Sequence, residues 1–423
     1  MMILDVMHGY QPFTDELLMP WVIKNTDEVF IPTSEAMRQG HVRHNVQLQG
    51  WTIDAWLKNR TTRHSAMKIL SNLKAALKRG HITAGCSSYS HAMLPLLSDE
   101  LAYAQIKIDH DTVEEHIGRP VFLWYPECGM DRELLKLSLE EFDLLPIIPD
   151  NSIGEKRSMM VNITDGKKDL GKAAVANVLL KDLCMNAVVY KKPDYVPKRV
   201  NWVLAMRSMR DKEAFLSLMK SIEPKSPSIL MRDWENAESR DALVEVGYGK
   251  DIKAMLEIPE MFSLFGSEKA EKDVDLRKVR PATWEPCSTR ENPFPYWLPT
   301  AQIKKKMEFG LKWKAWLNLY DEAFHTLLVS KDLEGIQGAK ELLKDKETVR
   351  VLKHTFPVLL SCFPWHIMAR PEWESFPEFP KQLLHKVLKP LMAEWLDFVG
   401  EPLLQKKADQ LTDWFEIFFK KHA

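Results

Sequence analysis

The 423-residue sequence has no surplus of charge of either sign. It contains 58 Lys and Arg residues against 59 Asp and Glu residues, which gives a formal net charge of −1. Proteins that hold nucleic acids by their phosphates need a surplus of basic side chains. The two short basic runs, Lys304–Lys306 and Lys420–Lys421, are typical of solvated helix faces. The sequence therefore predicts no nucleic-acid partner.

Paired cysteines and long apolar runs are also scarce. The five cysteines are scattered and none forms a CxxC pair, which is typical of a reduced, cytoplasmic protein. The first residues, MMILDVMHGYQPF, lack the basic and long apolar regions of a signal peptide. The longest uncharged apolar stretch, 358–369, is shorter than the roughly 20 residues that a membrane helix needs. We therefore expect a cytoplasmic protein that does not interact with membranes.

The first 260 or so residues alternate short apolar runs with helical patterns. Such alternation is typical of βα units around a parallel sheet. Spacing of Leu and Met predicts helices over 65–78 and 131–142. The stretch 149–197 is less regular and could hold an antiparallel excursion or a long loop. The predicted strands are Met2–Met7, Val42–Leu48, Ile82–Cys86, Val121–Tyr125, Leu144–Ile148, Val200–Met206 and Ser228–Met231.

The composition changes after residue 266. Residues 267–299 are rich in charge and proline, which indicates a linker or a crossing segment. Beyond residue 300 the pattern is helical, and helices are predicted over 301–329, 331–344, 347–360 and 380–422, the last with breaks near Pro390 and Pro402. Trp313 and Trp316 recur at helical spacing and predict a packing face. The sequence thus predicts an α/β barrel-like domain over 1–266, a linker over 267–299 and a helical domain over 300–423.

Polar and aromatic residues follow four of the predicted strands. In an α/β barrel the C-terminal strand ends converge on the active site. The segments HGYQP, SSYSHAMLPLL, WYPEC and RDWEN begin at residues 8, 87, 124 and 232. Two of them supply acids, Glu127 and Asp233. Each acid is equally typical of a helix N-terminus, where unpaired N–H groups stabilise negative charge.

Two carboxylates from different strand ends of one barrel are the minimum equipment for glycoside hydrolysis. One attacks the anomeric carbon, while the other protonates the leaving oxygen and then activates water. Nearby aromatic side chains would offer flat apolar faces to a sugar ring, although each is equally compatible with core packing. These side chains are Tyr10, Tyr89, Trp124, Tyr125 and Trp234.

In this order and spacing, the four segments resemble the motifs of glycoside hydrolase family 57. That family has an HxHQP-like first strand end, a Tyr-x-His-x-x-Leu-Pro-Leu segment, a Trp-x-x-Glu motif with the nucleophile, and a later Asp-x-Glu motif with the acid/base. The resemblance covers about residues 1–240 and extends to SCFPWH at 361–366. It implies a distorted (β/α)7 barrel, followed here by an all-helical domain. It also implies a retaining hydrolase or transglycosylase for α-linked glucans.

By this resemblance Glu127 is the nucleophile and Asp233 is the acid/base. The partner implied is an oligo- or polysaccharide substrate, with no metal and no other cofactor. The resemblance and the positions of the polar and aromatic residues assign the sugar site to His8, Tyr10, Gln11, Tyr89, His91, Trp124, Trp234, Glu235, Trp365 and His366.

Three positions depart from the family pattern. Tyr10 replaces the second histidine of the first motif, Thr83 stands where a glutamate is usual, and Trp234 stands where small residues are common. These departures indicate either a different preferred sugar or linkage, or weakened activity. They leave open a carbohydrate-binding or regulatory protein on the same barrel.

A metal-dependent enzyme, such as a deacetylase or a mannosidase-like enzyme, is the other alternative. Eight of the thirteen histidines lie in the first 120 residues, which fits such a site. However, the sequence has no HExxH motif, and its strand ends lack the paired His and Asp of a tight first-row metal site. The glycosidase is therefore the preferred interpretation.

Overall fold

A nine-stranded curled sheet forms the first half of the computed structural model. The structure describes residues 3–10, 19–40, 43–182, 217, 220–222, 228–234, 263–266, 269–285, 288–299, 304–368 and 378–422. Within them the strand order is β8-β1-β2-β3-β4-β5-β7-β6-β9. The strands are β1 Ile3–Gly9, β2 His44–Leu48, β3 Ile82–Cys86, β4 Phe122–Trp124, β5 Leu145–Pro149, β6 Met159–Asp165, β7 Lys168–Ala176, β8 Ser228–Asp233 and β9 Lys272–Asp275.

The sheet is parallel except for one hairpin. Strands β6 and β7 pair antiparallel, and every other neighbouring pair in the sheet is parallel. The hairpin lies within the stretch 149–197, where the irregular pattern allows an antiparallel excursion or a long loop. Six of the seven predicted strands are confirmed, and the one predicted over 200–206 lies outside the described residues. Strand β9 falls inside the segment predicted as a linker and is an addition to the expected sheet.

The two faces of the sheet carry separate apolar clusters because side chains alternate along each strand. The inner face packs residues such as Val6, Phe122 and Met231 against one another. The outer face packs residues such as Met7 and Val161 beneath the surrounding helices. A sheet that is buried on both faces explains the nearly continuous apolar runs of the central strands. This arrangement confirms the predicted barrel-like α/β architecture.

Seven helices accompany the sheet within the described residues. The helices predicted over 65–78 and 131–142 are confirmed as α4 and α6, with ends shifted by one or two residues. In α4, buried positions such as Ile69, Leu73 and Ala76 recur at helical spacing and face the sheet. The helices are α1 Met19–Asn25, α2 Ile31–Gln39, α3 Gly50–Lys58, α4 Arg63–Lys78, α5 Asp99–His116, α6 Arg132–Glu141 and α7 Val178–Asp182.

The remainder of the described chain is helical, as predicted. Trp313 and Trp316 are buried in its core, which confirms the predicted packing face. The helices are α8 Lys304–Ser330, α9 Gly335–Leu342, α10 Lys346–Thr355, α11 Cys362–Met368, α12 Glu378–Leu383, α13 Lys389–Val399 and α14 Pro402–His422. None of the described helices is long and apolar enough to span a membrane.

The chain breaks before Pro402 but not at Pro390. Gly400 adopts a left-handed conformation, φ 79°, and ends α13, so the predicted break near Pro402 is confirmed. The predicted break near Pro390 is wrong. A π-helical turn, Leu384–Leu388, replaces the regular hydrogen-bond pattern directly before the proline, and the helical backbone continues through Lys389 into α13.

The barrel-like and helical regions share one apolar core. Tyr89 and Met93, which follow β3, pack in the same cluster as Trp297, Trp313 and Phe356. An antiparallel bridge joins Ala92 to Leu360. The loop after β3 is therefore held between the two regions. This contact places a helical-region residue beside the C-terminal ends of the strands.

Candidate active site

Glu127 lies in a strained turn directly after β4. Residues Pro126–Cys128 form a short 3-10 turn in which Glu127 and Cys128 have φ values of 57° and 47°. Residues with a Cβ rarely adopt this left-handed region, and such outliers concentrate at functional sites. Helix α6 begins only at Arg132, and its N-cap is Asp131, whose carboxylate accepts from the Leu134 N–H at 2.9 Å. The alternative that Glu127 is merely a helix cap is therefore wrong.

Trp284 holds Glu127 through both its backbone and its side chain. The indole N–H donates to Glu127 Oε2 at 2.8 Å, and the backbone N–H of Trp284 donates to the carbonyl oxygen of Glu127 at 3.0 Å. Glu127 is partly buried, and Trp284 is almost fully buried. No sequence pattern predicts a role for Trp284, because this residue lies in the charged, proline-rich segment predicted as a linker.

Ring contacts connect the end of β1 with this acid. The His8 imidazole stacks on Trp124 with 5.2 Å between ring centroids and 3° between planes. Trp124 in turn packs edge-on against Trp284, again at 5.2 Å. His8 and Trp124 are both buried at the inner, C-terminal end of the sheet. The structure thus links His8 and Trp124 to Glu127 through Trp284.

A buried hydrogen-bond chain runs through both predicted histidines. His8 Nδ1 bonds the Gln47 side-chain oxygen, and His8 Nε2 lies 2.9 Å from His91 Nε2. His91 Nδ1 lies 2.7 Å from the hydroxyl of Ser361, which belongs to the helical region. This chain of hydrogen bonds therefore joins β1, β2, the loop after β3 and the helical region at one point.

Burial keeps both imidazoles neutral, and this fixes their protons. Desolvation lowers the pKa of His8 to about 4 and, together with the neighbouring His8, lowers the pKa of His91 well below its ordinary value. A neutral imidazole has one donor and one acceptor nitrogen. Since Gln47 presents its oxygen, His8 donates from Nδ1 and accepts at Nε2 from His91, whose Nδ1 accepts from Ser361. All four ring nitrogens are thus engaged.

The departures from the family pattern are accommodated by local packing. Tyr10 is buried and stacks on His91 with ring centroids 4.4 Å apart. Thr83 pairs with Asn45 in the sheet register and donates from its hydroxyl to the Asn45 side-chain oxygen at 2.6 Å. Asn45 also accepts from the backbone N–H of Phe265 at 2.8 Å. A neutral Thr–Asn pair therefore occupies this part of the barrel interior.

Three predicted sugar-site residues pack elsewhere. The Tyr89 hydroxyl donates to Asp54 at 2.7 Å, and its ring lies in the core shared with the helical region. The Trp234 ring packs on Phe30 at 4.6 Å within the outer cluster of the sheet. Trp365 packs against the helical core. All three positions fit the core-packing alternative, and their geometry lends no support to sugar binding.

Asp233 is described only through its backbone. It ends β8 in register with His8, and the next residue, Trp234, donates its N–H to the His8 carbonyl oxygen at 2.7 Å. The thiol of Cys128 lies 3.3 Å from the sulfur of Met231, so the Glu127 turn contacts β8 two residues before Asp233. The side chains of Asp233 and His366, together with Gln11 and Glu235, lie outside the described residues.

Among the described residues, one exposed group on α5 has the composition of a cation site. Ligand atoms of His110, Asp111 and Glu114 lie within 4.8 Å of one another. Asp111 already forms an ion pair with Lys107 at 2.5 Å. Exposed groups of this kind are common on helices without any ion, because they form intrahelical pairs.

The predicted family resemblance is confirmed by a sequence model. Residues 6–162 match the model of glycosyl hydrolase family 57. The matched part contains His8, His91 and Glu127, and it supports the predicted enzyme class, a glycoside hydrolase. A comparison with curated protein sequences gives no match.

Solved structures confirm the fold over nearly the whole chain. The GH57-type branching enzyme of Pyrococcus horikoshii is similar with a TM-score of 0.61 and 13% identity, covering 97% of this chain and 94% of that one. The α-amylase AmyC of Thermotoga maritima has a TM-score of 0.55 and 11% identity, covering 98% and 97%. For the 4-α-glucanotransferase of Thermococcus litoralis the values are 0.56 and 15%, covering 94% of this chain and 59% of that one. The chain thus spans about three fifths of the glucanotransferase.

Proposed function

We propose that this protein is a retaining glycoside hydrolase or transglycosylase for α-linked glucans, with Glu127 as nucleophile and Asp233 as acid/base. The observation that carries the proposal is the placement of Glu127. It follows β4 at the C-terminal end of the barrel, in a strained turn that is held by a buried indole and contacts β8 near Asp233. The match of residues 6–162 to the glycosyl hydrolase family and the names of the similar structures support the substrate class.

The proposed reaction has two displacement steps. The Glu127 carboxylate attacks the anomeric carbon and the bond to the leaving oxygen breaks. That oxygen keeps the electron pair of the broken bond and takes a proton from Asp233. In the second step a water or a sugar hydroxyl gives a proton to Asp233, attacks the same carbon and releases Glu127. Water completes hydrolysis, and a sugar hydroxyl completes transfer. For a retaining mechanism we expect the carboxyl groups of Glu127 and Asp233 to lie about 5–5.5 Å apart.

The ring residues at the C-terminal end of the barrel would support the sugar site from beneath. His8 and His91 use both ring nitrogens within the chain from Gln47 to Ser361. A sugar hydroxyl could therefore bond them only by displacing one of these partners. Trp124 and Tyr10 extend the same stack of rings. We assign these side chains to the packed support beneath the site, because Trp124 is fully buried and the other three rings are at most 4% exposed.

The test is Glu127→Gln with a panel of α-linked oligosaccharides and analysis for shortened and elongated products. We expect kcat/KM to fall by at least about three orders of magnitude, because the amide cannot form the glycosyl-enzyme. Glu133→Gln is the matched control, since Glu133 is exposed on α6 and pairs only with the adjacent Arg132 among the ion pairs described. The melting curves of both variants should match wild type. A Glu127→Gln variant with wild-type turnover would exclude this nucleophile.

A second candidate is a carbohydrate-binding or regulatory protein without turnover. The replacements at Tyr10 and Thr83 favour it, because they change two polar positions of the family pattern. Calorimetry would then show saccharide binding by wild type, while the incubated saccharide would remain unchanged in length. We also propose a cytoplasmic location, in keeping with the free cysteines 86, 128 and 362 among the described residues.

A further inference from the structure

The segment before Trp284 is built onto the turn that carries Glu127. Met130 and Ala282 exchange two backbone hydrogen bonds of 3.0 Å, and the Trp284 N–H donates to the Glu127 carbonyl. On the other side, the Asn151 amide donates to the carbonyl oxygen of Thr283 at 3.1 Å. These bonds fix the backbone of residues 282–284 relative to the turn. The indole of Trp284 is therefore carried by a rigid support rather than by a free loop.

The indole itself is oriented by Trp124. Their rings meet edge to face with an angle of 82° between planes, and Trp284 is 4% exposed. From this position its N–H reaches Glu127 Oε2 at 2.8 Å. A hydrogen bond donated to a carboxylate favours the ionised form, and it does so more strongly where water is excluded. It also restrains rotation of the carboxylate.

We propose that Trp284 is a positioning residue for the nucleophile: it keeps the Glu127 carboxylate ionised and oriented for attack. This role rests on the proposed function of Glu127. The left-handed backbone of Glu127 is costly to maintain, and the two bonds from Trp284 offset that cost at the residue itself. The orientation of Glu127 at the end of the barrel thus depends on a residue 157 positions away in the sequence.

The test is the pH profile of Trp284→Phe. Phenylalanine retains an aromatic ring against Trp124 but has no N–H. We expect the acidic limb of the kcat/KM profile to move up by about one pH unit, because a hydrogen bond to the ionised form is lost. At the optimum, kcat should fall about tenfold or more, while KM changes little, since Trp284 acts on the carboxylate.

Trp395→Phe is the matched control. Its indole N–H also donates a hydrogen bond, here to the carbonyl oxygen of Tyr320 at 3.3 Å within the helical core. Its pH profile should coincide with that of wild type. Should Trp284→Phe not unfold cooperatively, benzothienylalanine introduced at position 284 keeps the shape of the indole without its N–H. The same upward shift of the acidic limb is then expected.

The outcomes separate this inference from the proposed function. A folded Trp284→Phe protein with the wild-type pH profile and kcat, alongside an inactive Glu127→Gln protein, overturns the role of Trp284 alone. A wild-type protein that neither shortens nor extends any glucan of the panel overturns the proposed function and the role of Trp284 with it. A shifted limb in Trp284→Phe but not in Trp395→Phe supports the inference.

Discussion

Removing the hydroxyl of Ser361 should destabilise the His8–His91 pair at the C-terminal end of the barrel. Ser361 is buried, and its hydroxyl is the donor to His91 Nδ1 at 2.7 Å. The backbone bonds of Ser361, to the His91 carbonyl at 3.1 Å and from the Trp297 indole at 3.0 Å, do not involve the hydroxyl. Ser361→Ala therefore deletes one interaction and leaves the surrounding backbone in place.

The expected loss of stability comes from the acceptor nitrogen of His91, which loses its donor. His91 Nδ1 would remain buried without a donor, and such a group costs about 1–3 kcal/mol in the free energy of unfolding. The substitution should also shift the ¹⁵N resonance of His91 Nδ1, because that nitrogen loses its donor, while His8 Nε2 still accepts the proton of His91 Nε2. In wild type we expect opposite tautomers, with the proton of His8 on Nδ1 and that of His91 on Nε2.

Urea unfolding measures the first effect and ¹⁵N NMR of the histidine rings measures the second. Thr412→Val is the control for stability. It also deletes a buried hydroxyl, but one whose bond goes to the Ala408 carbonyl of its own helix at 2.9 Å. We expect this variant to lose less than about 1 kcal/mol. Ser361→Ala should lose more and should shift the His91 ring nitrogens.

Two results would refute this reasoning. Equal stabilities of Ser361→Ala and Thr412→Val would mean that the hydroxyl does not satisfy His91. If His8 and His91 carried their protons on the same ring nitrogen in wild type, the proposed donors and acceptors of this hydrogen-bond chain would be wrong.

Two further predictions concern stability. Burial raises the pKa of Asp109 from 3.8 to about 7, although its oxygens accept from Gly50 and Ser87 N–H groups at 2.6 Å. The folded state then binds more protons than the unfolded state between these values, so the free energy of unfolding should fall by up to about 4 kcal/mol from pH 4 to pH 7 relative to Asp109→Asn. A constant difference between the two urea series would contradict this. Gly85→Ala should cost about 1–3 kcal/mol, since its Cβ would lie 2.2 Å from the Phe122 ring; a second change, Phe122→Leu, should recover part of that loss in thermal melts.

The sequence predicted the strands whose burial is continuous. Strand β3, Ile82–Cys86, lies where its apolar run predicts, and β4 and β5 differ from the prediction by one residue at each end. Strand β9 escaped prediction because Lys272–Asp275 has only Val274 buried, and it forms by pairing with distant β6. Its existence depends on a long-range contact rather than on a local pattern.

The same distinction applies to the candidate site. Glu127 and His8 were predictable because the strand ends of a barrel converge. Gln47, Ser361 and Trp284 were not, because their roles come from contacts made across 39, 270 and 157 positions of the chain.

The packing of Trp234 in the outer cluster has a different cause. Trp234 lies near a strand end, as His8 and Glu127 do, but the alternation of side chains along β8 places position 234 on the outer face of the sheet. A strand-end pattern predicts nearness to the site without predicting the face.

The core that joins the two regions constrains how the protein can be re-engineered. The loop after β3 reaches the helical region through the Ala92–Leu360 bridge and the His91–Ser361 contact. Grafting the barrel onto a foreign helical partner would therefore remove Ser361, the hydrogen-bond partner of His91, from the histidine pair. Variant libraries that aim to alter substrate choice should diversify residues 87–93 and 356–361 jointly, because a change on one side selects what the other side can tolerate.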